Sequence, residues 1–277
     1  MIKSHWFQIA RSIAIAMGLL WLPIEAYEGL SNSDAKLPFV GFVALSLVTG
    51  TAFYFIDGHH LTGFLKKRVA ITTHGFDTEI RVEFGDLFAQ QGWKAIAVND
   101  FFDGIVDEDL VSSKSLHGFT INNYWKGNRA DWQKQISNSL NGEPFNKENR
   151  SKGNSKRYPI GTTACATKDG QKFLFVALGK TDSANNVTTA NAESLICAVR
   201  GMLAKARAVC SYEPLSIPLM GSGLGRVGIK TSVLVDLILA AVMEETKQRK
   251  VTGKISIILP KEKEGEINLQ NYSRNWN

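Results

Sequence analysis

Ile217-Pro-Leu-Met-Gly-Ser-Gly-Leu-Gly-Arg226 is the segment of this 277-residue chain whose residue types and spacing most directly suggest chemistry. An apolar run leads into three glycines at every second position, and a helical pattern follows. Glycine lets the backbone adopt positive φ and approach a ligand closely, so that successive amides can point at phosphate oxygens. A helix N-terminus behind the turn favours an anion, and Arg226 and Lys230 add formal positive charge. Taken alone, the spacing fits a plain tight turn equally well, and no Gly-Lys-Ser/Thr follows to make it a Walker loop.

Carboxylates and amides at strand ends form a second group. Asp86 follows an alternating strand-like run, and its carboxylate could accept a hydrogen bond from a base amino group or cap a helix starting at Leu87. Asn99 ends an apolar run, where it could touch a ligand or simply terminate a strand. Asp100, Asp103 and Asp107 could supply a general base, with Asn99 orienting water, but the sequence names no partner for them. Cys165, Cys197 and Cys210 show neither CxxC spacing nor a histidine pair. Cys197 falls in a helical apolar pattern and reads as a small core residue. His59-His60 point to opposite sides of the backbone. Neither a metal site nor a catalytic residue is expected.

These groups need a scaffold. Glu79–Phe84 alternates with period two, Lys94–Val98 is a short apolar run, and Leu87–Gln91 reads as a short helix. Thr162–Ala166 and Lys172–Leu178 flank Lys168-Asp-Gly170, a hairpin signal. Helical spacing spans Thr189–Ala208 and Ile229–Gln248, with strands at Leu215–Met220 and Lys254–Leu259. Alternating strands and helices imply a three-layer α/β domain with a mixed sheet. Residues 123–157 are polar, with a short helix near Asp131–Leu140, and read as a partly mobile insertion, a candidate lid or protomer contact. The run from Lys147 to Arg157 reads as solvated basic surface. A net charge of +6 suggests an anionic partner. No nucleic-acid motif is present.

Ahead of this domain lie two apolar stretches, Trp6–Ile24 and Leu37–Ile56, each of about 20 residues and long enough to cross a bilayer. Lys3, Arg11, Lys66, Lys67 and Arg68 flank them, against Glu25, Glu28 and Asp34 in the connecting loop. The positive-inside rule then predicts a multi-pass protein of the inner (cell) membrane with both termini cytoplasmic. Residues 1–60 form the hairpin, 61–77 a connector and 78–277 the cytosolic domain. Arg11 is expected to snorkel to the interface. Ala10, Ala14 and Gly18 share one helix face, as do Ser46 and Gly50; such faces serve hairpin packing or oligomer contact.

Val82-Glu-Phe-Gly-Asp86, Ile96-Ala-Val-Asn99, Tyr158-Pro-Ile-Gly-Thr162 and the Gly221–Gly225 turn occur in that order. Over about residues 78–260 this resembles the macrodomain, a three-layer α/β/α module that binds ADP-ribose and related nucleotides. With two spans in front, the whole chain resembles the transmembrane macrodomain effectors of type II Thoeris antiphage defence. The resemblance implies adenine recognition at Asp86 and Leu87, and a distal ribose at Asn99. It implies a first phosphate loop at Gly104, Val106 and Asp107, and a diphosphate loop at Gly221, Ser222, Gly223, Leu224, Gly225 and Arg226. Its ligand would be histidine-linked ADP-ribose made by a TIR-domain partner enzyme. Binding would assemble a homo-oligomer that damages the lipid bilayer. One departure matters: Phe101-Phe-Asp103 precedes a single Gly104, where hydrolytic members carry a longer glycine run. The expectation is therefore a sensor without enzymatic activity, with a tethered ADP-ribosyl hydrolase or a tethered binding module as rivals.

Overall fold

The computed structural model describes residues 2–31, 39–72, 77–126, 128–223 and 227–277. Contacts divide the chain into two units: Met1–Val69 with Glu262–Asn275, and Ala70–Lys261 with Trp276–Asn277.

In the first unit, α1 (Ile2–Ser31) and α2 (Phe39–Ile56) pack as a hairpin. Both are long and apolar enough to cross a membrane, and most of their surface is exposed. The buried seam contains Ser12, Ala16, Ser46 and Gly50. Gly50 lies against the backbone of Ile13, where a Cβ would come within 2.9 Å of Ile13 Cα. Ala10, Ala14 and Gly18 stay exposed. So the two small-residue faces differ: the second packs the hairpin and the first does not. Arg11, expected to snorkel, instead pairs with Asp57, which is 3% exposed. That pairing follows because α2 runs directly into a π-helical turn, Asp57–Leu61, which turns Asp57 inward. Glu25 and Glu28, expected in the connecting loop, fall within α1, and Asp34 lies outside the described residues.

Residues near the C-terminus return to this unit. Asn268 Nδ2 donates to the Thr62 carbonyl at 2.6 Å, and Arg274 Nη2 to the Leu61 carbonyl at 2.6 Å. The short helix α7 (Leu269–Trp276) carries Arg274.

In the second unit, β1 (Arg68–Ile71) begins the sheet, followed by β2 (Glu79–Phe84) and β3 (Trp93–Asn99). Helices α3 (Leu116–Tyr124) and α4 (Arg129–Ser139) precede a short ribbon, β4 (Asn146–Lys147) with β5 (Lys156–Arg157). Then come β6 (Thr163–Lys168), β7 (Gln171–Thr181), β8 (Thr188–Thr189), α5 (Ala192–Val209), β9 (Leu215–Pro218), α6 (Thr231–Gln248) and β10 (Lys254–Leu259). The strand order is β1-β2-β10-β9-β3-β7-β6, with β8 on β7. β2, β10, β9, β3 and β7 are mutually parallel, and β6 is antiparallel. The hairpin turn is as expected: Asp169 and Gly170 adopt φ 50° and 75°, as a type I′ turn requires.

Side chains of β7 alternate. Phe173, Phe175 and Ala177 join Trp125, Trp132, Ile136 and Tyr158 in one buried cluster, while α5 packs against the same strand with its stripe of Leu195, Ala198, Val199, Met202, Leu203 and Ala206. Helices therefore cover both faces of the sheet. Cys197 is exposed, contrary to the expected core position, because it falls off that stripe; the buried thiol is Cys210, which burial pushes up to about 12. Leu87–Gln90 forms a single turn, with the Gln90 amide on the Leu87 carbonyl at 3.2 Å, not the expected helix.

Candidate nucleotide site

Five parallel strands place their carboxyl ends on one edge of the sheet, the position where open α/β sheets bind ligands. Along that edge the strand order sets Asp86 after β2, Gly221 after β9 and Asn99 at the end of β3.

Asp86 is exposed. Its Oδ1 accepts the Phe88 amide at 2.9 Å, so one carboxylate oxygen braces the turn and the other has no described bond. Phe88 stacks on Tyr124 at 5.9 Å and meets Phe119 at 4.8 Å, and Phe119 is 44% exposed. Burial, then the Asp86 carboxylate, push the Tyr124 hydroxyl above its ordinary pKa. Tyr124 thus lies within electrostatic reach of the carboxylate, and Phe88 stacks on its ring. Phe119 and Tyr124 lie on α3, far along the chain from Phe88, and nothing in the sequence marks that they meet it. Leu87 is buried beside the turn.

Gly221 adopts φ +80°, and the Val227 amide donates to its carbonyl at 3.0 Å, closing the turn. A Cβ at Gly221 would strike Val227 Cγ2 at 2.6 Å, whereas one at Gly223 would meet nothing within 4 Å. The first glycine closes the turn and Gly223 leaves its backbone open. Ser222 Oγ donates to the Leu219 carbonyl at 3.0 Å. Leu224, Gly225 and Arg226 lie outside the described residues.

Asn99 is 7% exposed and held at both ends of its amide. Its Nδ2 donates to Asp103 Oδ2 at 2.9 Å, and its Oδ1 accepts the Asp103 amide at 3.0 Å. Between them, Phe102 adopts φ 51°, a strained conformation for a bulky residue. Asn154 Nδ2 donates to the carbonyls of Phe101 at 3.1 Å and Phe102 at 2.7 Å, which holds that shape.

The three candidate bases are all engaged. Asp103 Oδ2 lies 3.0 Å from Arg150 Nη1, with both side chains buried. Burial pushes the Asp100 carboxyl up, against the opposing pull of the Thr181 amide and the Arg157 guanidinium. Burial would also raise Asp107, but Lys152, at 2.7 Å, and the Leu110 and Asp109 amides hold it below the usual range. Val106 is half-buried and packs on the core cluster. Gly104 is buried beneath Trp132 of α4, where a Cβ would fall 2.5 Å from Cζ3. Gly104, placed by resemblance in a phosphate loop, is here covered by an indole.

The polar insertion, expected to stand away from the core and to be partly mobile, instead packs into it. Trp125, Trp132, Ile136 and Leu140 enter the core, and the run read as solvated surface sends Arg150 and Arg157 inward over the Phe101 ring, at 3.9 and 4.7 Å from its centroid. Among the described residues no cluster of His, Cys, Asp and Glu is arranged to hold a metal.

Comparison with known proteins adds a decisive observation. Residues 80–260 match the family described as Thoeris protein ThsA, Macro domain. The chain belongs to that family. A Thoeris protein ThsA from Bacillus amyloliquefaciens (strain Y2) is 24% identical over 236 residues, covering 82% of this chain and 77% of that protein. Among solved structures, a mutant Oceanobacillus iheyensis macrodomain with ADPR matches at TM-score 0.52 and 14% identity, covering 75% of this chain and 98% of that one. The same organism's macrodomain with ADP matches at TM-score 0.52 and 13% identity, covering 76% and 98%. The ThsA macro domain in this chain thus has the macrodomain fold, an α/β domain built on a mixed sheet, preceded by two apolar helices.

Proposed function

We propose that this protein is the membrane effector of a Thoeris antiphage system, and that its macrodomain senses an ADP-ribose-derived nucleotide. Histidine-linked ADP-ribose from a TIR-domain partner enzyme is the signal we assign to it. Binding assembles copies of the chain in the inner membrane, through spans whose termini both face the cytoplasm, and the assembly disrupts the bilayer.

The arrangement of Asp86, the Gly221 turn and Asn99 along one sheet edge carries this reading. With about 4.8 Å between strands, three strand steps separate Asp86 from Asn99 by roughly 14 Å. That is enough for a base at one end, a diphosphate over the turn and a ribose at the other. A carboxylate accepts from an adenine amino group, and the open backbone at Gly223 suits phosphate oxygens. The relatives' bound ADPR and ADP point to the same ligand class.

A sensing role, not hydrolysis, is favoured by the first loop. A general base needs a free carboxylate within reach of water; Asp103 is committed to Arg150 and Asn99, Asp100 to Thr181 and Arg157, and Asp107 to Lys152. Trp132 covers the single glycine. A ligand that drives assembly must bind the assembled state more tightly than the resting one.

Calorimetric titration of the full chain in lipid nanodiscs tests the reading, with ADP-ribose and histidine-linked ADP-ribose as probes and product formation followed in parallel. Binding without turnover is expected. Turnover would make the protein a tethered ADP-ribosyl hydrolase, and binding of neither probe would end the nucleotide reading.

A further inference from the structure

We infer that Arg150, in the polar insertion, is the positioning residue for Asn99 and acts on it through Asp103. The inference rests on the nucleotide reading above and adds to it a residue remote in sequence from every expected ligand contact.

Asn99 is the polar side chain at the end of β3, and neither end of its amide is free to rotate independently of Asp103. Asp103 in turn is fixed from the insertion. Arg150 Nη1 reaches its Oδ2 at 3.0 Å and Oδ1 at 3.3 Å, and the Asn154 amide donates to Oδ1 at 2.7 Å. Gly153, at φ +84°, lets that backbone come close: a Cβ there would lie 2.5 Å from Asp103 Oδ1. The arginine is itself located by the Asn154 carbonyl at 2.9 Å, by Asn186 Oδ1 at 2.8 Å and by the Phe101 ring beneath it. Its side chain is 1% exposed and that of Asp103 is 0%. Buried polar groups are held by the partners that satisfy them, and Arg150 reaches both oxygens of this carboxylate. The Asp103 carboxylate accepts a hydrogen bond from the Asn99 NH2 and the Asp103 N–H donates to the Asn99 carbonyl, so the two together set the orientation of that amide. Without Arg150, which reaches both carboxylate oxygens, Asp103 loses the contact that fixes its side chain, and the Asn99 NH2 loses a fixed acceptor.

The same chain explains why the left-handed Phe102 persists: the Asn99–Asp103 bonds span it, and Asn154 holds its carbonyl. The insertion is therefore part of the binding edge and not a lid over it.

The test uses the full chain in lipid nanodiscs and calorimetric titration with ADP-ribose and with AMP, which lacks the distal ribose. Arg150→Gln is expected to weaken ADP-ribose at least tenfold and to leave AMP within twofold. Asn99→Ala should act likewise, and the combined variant should bind no more than twofold worse than the weaker single one. If Arg150→Gln fails to fold, Arg150→Lys keeps a cation beside Asp103 but cannot reach both of its oxygens as the guanidinium does, and should show the same selective loss of ADP-ribose over AMP in smaller measure. Additive losses, equal losses for AMP and ADP-ribose, or an unchanged preference for ADP-ribose in Arg150→Gln would overturn the role of Arg150. A wild-type chain that binds neither probe would instead overturn the nucleotide reading beneath it.

Discussion

Gly104 lies so close beneath the Trp132 indole that a Cβ there would sit 2.5 Å from Cζ3 and 2.7 Å from Cε3. The absent side chain makes room for a fully buried tryptophan from α4, in the loop where resemblance implies an open path to phosphate. Gly104→Ala should therefore overpack the core and destabilise the protein by about 1–3 kcal/mol. Thermal unfolding measures it. An unchanged midpoint would mean that the indole yields easily and that the glycine serves something other than packing.

Asp86 predicts base selectivity. Replacing it with alanine removes an acceptor from the position where an adenine amino group would donate, a charged hydrogen bond worth roughly 1.5–3 kcal/mol. ADP-ribose affinity should fall about tenfold or more, while the guanine analogue, which offers an acceptor at that position, should lose nothing. Titration with both nucleotides decides it, and equal losses would remove Asp86 from base recognition.

His117 gives the macrodomain a pH signature. It is buried against Trp132 and Phe175, and burial lowers its pKa from 6.5 to about 3. Between those values the unfolded chain binds a proton that the folded chain does not, so stability falls as pH drops from about 6.5 towards 3. The slope from this one group is at most about 1.4 kcal/mol per pH unit. Denaturant unfolding at stepped pH should show this loss, and His117→Phe should flatten it. A slope unaltered by the substitution would assign the acid sensitivity elsewhere.

Much of the sheet was readable because its strands carry local signals. Glu79–Phe84 alternates, Ala95–Val98 is continuously apolar and Asp169-Gly170 specifies its turn. The strand-end residues Asp86, Asn99 and Gly221 were readable for the same reason, since each lies beside such a segment. The insertion was not. Lys147–Arg157 has the composition of solvated chain, and what buries Arg150 is an aspartate 47 positions away. Likewise Arg11 has the look of a snorkelling residue until the turn after α2 presents Asp57, 46 positions on. Periodicity reports what a segment does with its own faces; it carries no information on a distant charge that meets it.

The two glycines of the candidate spans separate hairpin packing from assembly. Gly50 abuts the Ile13 backbone, whereas a Cβ at Gly18 would meet nothing within 4 Å. Gly50→Leu should therefore force the helices apart and impair the hairpin itself. Gly18→Leu should leave the hairpin and nucleotide binding intact, because its face is turned away from α2. If copies of the chain associate through the Ala10, Ala14 and Gly18 face, a leucine there blocks close helix approach and abolishes toxicity in cells that produce the signal. Growth of producing cells, read beside calorimetric binding of the same variant, tests this directly. Full toxicity in Gly18→Leu would exclude that face from assembly and leave the seam at Ser46 and Gly50, opened from within the hairpin, as the surface to test next.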